Sequence, residues 1–87
     1  MNATLITEGL AGMPPGTNLY SLDSPFEGFD HITVTAVELY GQAVVVVVGC
    51  NQDGYVEAPT MESLWQSDTY MPHVDVLSAI GYQETTE

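Results

Sequence analysis

Apolar and polar positions alternate most clearly between His31 and Leu39. Ile32, Val34 and Ala36 share one side of an extended chain, and His31, Thr33 and Thr35 share the other. Near Val37 the alternation changes phase. Glu38 would otherwise fall on the apolar side, so a bulge is predicted at 37–38. Gly41-Gln42 then offers a tight hairpin turn. Ala43 to Val48 follows, with five consecutive valines. β-branched residues on both sides predict a central strand covered on both faces, or on one face by a partner. Asp53-Gly54 signals a further hairpin, with Tyr55 to Ala58 as the returning strand and Pro59 ending it.

The pattern is weaker on either side of this block. Residues 1–18 contain Leu5 and Ile6 but are punctuated by Gly9, Gly12, Pro14, Pro15 and Gly16. They are expected to form an N-terminal arm and loop, ahead of a compact domain over 19–87. Leu19 to Asp23 predicts a short strand, Ser24-Pro25 a turn, and Gly28 permits another. Thr60 to Ser67 suggests a short helical turn, with Thr60 as N-cap and Glu62 near the positive end of its dipole. Pro72 to Ile80 is the best helix. Pro72 suits a first turn and Gly81 a C-terminal stop. His73, Val76, Leu77 and Ile80 recur at i, i+3, i+4 and i+7, which makes one core-facing stripe. Tyr82 either leads a last strand or packs over the helix end. The expected fold is α+β: a small antiparallel sheet of three to five strands packed by one C-terminal helix at about 72–80.

Charge changes the picture more than length does. The 87 residues suffice for one domain with a modest core, and 45% are hydrophobic, an ordinary share for a folded chain. Yet there are 12 acidic residues and no Lys or Arg, a net charge of −12. At average usage, so complete an absence arises about once in 10^4 to 10^5 chains of this length. No carboxylate can pair with a Lys or Arg of its own chain. The charge must be solvated, matched by counterions, or matched by a basic partner. Direct nucleic-acid binding and attachment to anionic membranes are both disfavoured, since each depends on basic residues. No apolar run has membrane-spanning length, and Met1 to Leu10 lacks the charged start and apolar stretch of a signal peptide. Cys50 is the only cysteine, which excludes an internal disulfide and suits a reducing setting.

Candidate chemistry is sparse. His73 and Asp75 are two apart, a spacing that points side chains away from each other on a helix. Two histidines build no specific nucleophilic triad with the available Ser, Cys and Asp residues. Asn51-x-Asp53-Gly54 has part of a calcium-loop pattern but lacks its ligand-rich start and closing Glu. Cys50 ends an apolar strand without a basic neighbour and is expected to be inert. No enzymatic activity, metal or cofactor is therefore expected. Aromatic residues do sit beside acids. Phe26 and Phe29 flank Glu27 and Asp30, while Trp65 and Tyr70 neighbour Glu62 and Asp68. Such pairs suit a surface that meets arginine, although a small domain also uses its aromatics as core. The expected partner-contact set is Glu27, Asp30, Glu57, Glu62, Trp65, Asp68 and Asp75.

Leu19-Tyr20-x-Leu22-Asp23-x-Pro25-x-x-Gly28, the strand ending Val34-Thr35-Ala36-Val37, Asp53-Gly54, and His73-x-x-x-Leu77-x-x-x-Gly81-Tyr82 form one pattern over residues 19–82. It resembles a family of small uncharacterised proteins of actinobacterial phages. The resemblance implies an origin and no activity. By charge alone the chain is similar to acidic DNA-mimic inhibitors. Two expectations follow. One is a phage protein of the host cytoplasm that binds a basic, nucleic-acid-handling host protein, as anti-restriction, anti-CRISPR or host-takeover factors do. The other is a small structural or assembly protein of the virion, forming a homo-oligomer through its valine-rich strand.

Overall fold

A computed structural model describes residues 1–10, 12, 15–52 and 63–85. Among the described residues, six strands and one short helix follow one another: β1 (Asn2–Thr7), β2 (Thr17–Phe26), β3 (Phe29–Leu39), β4 (Gln42–Cys50), β5 (Trp65–Ser67), α1 (His73–Ala79) and β6 (Gln83–Thr85). The strands make one sheet in the order β5-β4-β3-β2-β1-β6. All neighbours are antiparallel except β1 and β6, which run parallel. The sheet is thus six-stranded and mixed, which corrects the expectation of three to five antiparallel strands.

Two of the extra strands come from segments with little sequence contrast. Residues 2–7 are not a free arm. Ala3 is fully buried, and β1 lies between β2 and β6 with Ala3 opposite Leu22 and Leu5 opposite Tyr20. Ala3 is small, and the exposed Ile6 directly after Leu5 breaks the alternation, so the pattern reads as weak. The proposed boundary after residue 18 falls inside β2. Trp65–Ser67 is likewise a strand and not part of a helical turn. It pairs with Val45, Val46 and Val47, supplying ladder partners that the exposed edge of β4 needs. The predicted elements at Asp53-Gly54, Tyr55 to Ala58 and Thr60 to Glu62 lie outside the described residues.

The central hairpin is more regular than its sequence suggests. β3 and β4 pair without interruption from His31↔Cys50 to Leu39↔Gln42, so there is no bulge at 37–38. Glu38 sits on the apolar side of the sheet but beyond its covered part, and is exposed. The reversal occupies Tyr40 and Gly41, one residue earlier than expected, with φ of 53° and 76°. Two consecutive left-handed residues define the turn whose twist matches paired strands. The β2–β3 hairpin repeats this at Glu27 and Gly28, with φ of 52° and 87°. Ser24-Pro25 causes no reversal. It lies within β2, where pairing shifts between Ser21 and Phe26.

The helix covers one face of the sheet. Val76 and Leu77 are fully buried against Tyr20, Ile32, Val34, Val45, Val47 and Ala3. Pro72 is the N-cap, and no side chain caps the helix start. The C-terminus is closed by a Schellman arrangement: Tyr82 N–H donates to Leu77 O at 2.8 Å and Gly81 N–H to Ser78 O at 3.1 Å. Gly81 supplies the left-handed step, with φ of 96°. Tyr82 takes the first of its two expected roles, at the head of a last strand. It packs edge-on against Phe26, with centroids 6.2 Å apart, and leads directly into β6. On the other face of β4, Val44 is 38% exposed and Val46 and Val48 are half-buried. That strand is therefore not equally covered on both sides. The same face carries a buried hydroxyl pair, Thr17 and Thr35, at 2.8 Å.

Candidate protein-binding surface

A carboxylate is costly to bury without a cationic partner, and the chain has no Lys or Arg to supply one. Eight lie among the described residues: Glu8, Asp23, Glu27, Asp30, Glu38, Asp68, Asp75 and Glu84. Seven of these are exposed and Glu84 is half-buried. Asp23 accepts a hydrogen bond from Asn2 N–H at 2.9 Å through Oδ1.

The expected contact residues separate into two groups. Glu27 stands at the tip of the β2–β3 hairpin, with Asp30 just inside β3. Asp68 follows β5, whose Ser67 pairs with Val45 and through it with Ala36. Asp75 lies in the first turn of α1, close to where His73 meets Gly16 and Gly16 meets Ala36. Asp30 and Ala36 are six residues apart on one strand, so the groups are separated by roughly 20 Å. The structure pairs Glu27 with Asp30 and places Asp68 and Asp75 near the opposite end. Glu57 and Glu62 lie outside the described residues. Trp65 is half-buried and packs against the core from the edge strand. Phe26 also packs on the core, whereas Phe29 is 38% exposed and lies over Gly49.

Tyr40 was not in the expected set. It projects completely into solvent from the β3–β4 tip, with a relative exposure of 102%. A sequence signal existed: an aromatic immediately before the glycine of a two-residue hairpin turn. It is obscured when the turn is placed one residue later. Glu38, two residues before Tyr40, is exposed as well.

An open groove of about 220 Å³ lies between the β2–β3 tip and the end of β4, lined by Gly28, Phe29, Asp30, His31, Cys50 and Asn51. His31 and Cys50 are direct cross-strand neighbours there. Burial pushes the Cys50 thiol up to about 11, which leaves it protonated at neutral pH and a poor nucleophile. Among the described residues, no group of three or more His, Cys, Asp and Glu side chains is placed to hold a metal ion. No helix among them is long and apolar enough to cross a membrane.

No curated protein and no solved structure matches the chain. Residues 1–83 match a family of unknown function, DUF7572, and thus take in every strand but the end of β6. The chain belongs to the DUF7572 family.

Proposed function

We propose that this protein is an acidic binder of a basic, nucleic-acid-handling protein, acting as an imitation of the phosphate backbone. The observation that carries the reading is the exposure of seven of the eight described carboxylates in a chain without Lys or Arg. Such a surface attracts basic grooves over a distance and gains free energy from the counterions released on contact. The dimensions are compatible. Duplex DNA carries about one charge per 1.7 Å of axis, so 20 Å spans about twelve phosphates. The molecule measures 34 × 28 × 21 Å. Its two acidic groups lie at opposite ends of the strands, which suits a partner groove contacting both ends at once. A phage origin and action in the host cytoplasm belong to this proposal, as does the absence of enzymatic activity.

Capture of partners from an actinobacterial lysate at low salt, followed by competition with duplex DNA, tests the reading. Release of one nucleic-acid-binding protein by the duplex is the expected result. Recovery of abundant basic proteins only, with no release by DNA, would overturn it.

The row Val44, Val46 and Val48 favours a second reading, a virion or assembly protein that self-associates through this face. Light scattering at micromolar concentration decides it. A stable monomer counts against self-association.

A further inference from the structure

Tyr40 has no role that the fold accounts for. Its ring is fully exposed, and its backbone is left-handed with φ of 53°. Asparagine or glycine closes this kind of turn with less strain and exposes no ring. A large side chain kept in solvent at a strained position marks a contact element. Glu38, exposed two residues earlier, is the carboxylate nearest to Tyr40 along the chain.

We propose that the β3–β4 tip reads arginine on the basic partner, with Tyr40 stacking on a guanidinium and Glu38 accepting its hydrogen bonds. This rests on the acidic-binder reading. The cation must come from another kind of molecule, because neither this chain nor a second copy of it contains Lys or Arg. Arginine fits better than lysine. Its planar group stacks on a ring while still donating to a carboxylate, whereas a hydrated ammonium is a point charge.

Isothermal titration of the full chain with dodeca-arginine and dodeca-lysine peptides at low salt tests the proposal. The wild-type chain should favour the arginine peptide by about three- to fivefold. Tyr40→Asn should remove that preference, leave lysine-peptide affinity unchanged and raise the melting temperature by a few degrees. Tyr40→Phe should keep the preference. Equal affinity for both peptides in the wild type, or a preference that survives Tyr40→Asn, overturns the role of the tip while the acidic-surface reading stands. Failure to bind either peptide overturns both. A lower melting temperature in Tyr40→Asn assigns the ring to the fold and overturns the proposal.

Discussion

His73 Nε2–H donates a hydrogen bond to the backbone carbonyl of Gly16 at 2.6 Å, fastening the start of α1 to the chain just before β2. The same carbonyl accepts Ala36 N–H at 3.1 Å. One backbone oxygen therefore joins helix, loop and central strand. The bond matters because α1 has seven residues and no side-chain cap. So short a helix persists through tertiary contacts and not through propensity.

His73→Ala should cost about 0.5–1.5 kcal/mol, the net contribution of one hydrogen bond, and His73→Gln should recover part of it. Gly16→Ala should cost more, about 2 kcal/mol or above. Its φ is 80°, and an added Cβ would stand 2.7 Å from Ala36 O, a backbone atom that cannot move aside. Urea denaturation of the three variants checks the order. Equal stability of Gly16→Ala and wild type would contradict this geometry.

Gly49 provides a contrast. An added Cβ there would run into the Phe29 ring. Phe29 is 38% exposed, and the clash is with a side chain and not with backbone. Gly49→Ala is expected to cost less than Gly16→Ala and to increase the exposure of Phe29. Thermal melts of the two variants decide the ranking, and a larger loss at Gly49 would show Phe29 to be held in place.

Much of this fold was legible in the chain, and the failures share a cause. The stripe Val76, Leu77 and Ile80 identifies α1, since buried residues on a helix recur at that spacing. Ile32, Val34 and Ala36 likewise identify the buried side of β3. Residues 2–7 and 65–67 were missed because a strand held by pairing needs few apolar residues. Thr4 joins Thr85 through a hydroxyl contact of 2.9 Å, and no apolar signal reports it. The bulge assigned near Glu38 fails because alternation describes burial, and burial ends before the strand does. The acidic surface was legible as a total and not as an arrangement. Only pairing across β3, β4 and β5 places Glu27 and Asp30 far from Asp68.

Cys50 should resist thiol reagents at pH 8 in the native state and react at once when unfolded. Its folded pKa, about 11, exceeds the ordinary thiol value of 9.0. The unfolded thiol thus ionises first as pH rises. The associated stability is complete below about pH 9 and is lost as pH climbs through 11. Burial raises Tyr20 and Tyr82 in the same direction from 10.0. Cys50→Ala should flatten the first part of the alkaline decline. Rapid native-state labelling at pH 8 would contradict the burial of this thiol.

Salt should stabilise the free protein. In a chain with both signs of charge, salt screens attractions and repulsions together. Here there is no Lys or Arg, so repulsion dominates what is screened. Calorimetry from 20 to 500 mM NaCl should show a melting temperature rising by several degrees. A falling one would mean that favourable electrostatic contacts hold the fold.

Binding should respond to salt in the opposite sense, and this is the most direct test of the acidic surface. The affinity for a DNA-competed partner is measured by titration from 50 to 300 mM NaCl. Logarithmic affinity should fall steadily with logarithmic salt, with a slope of several released ions, and duplex DNA should compete at each concentration. An affinity indifferent to ionic strength would contradict the account.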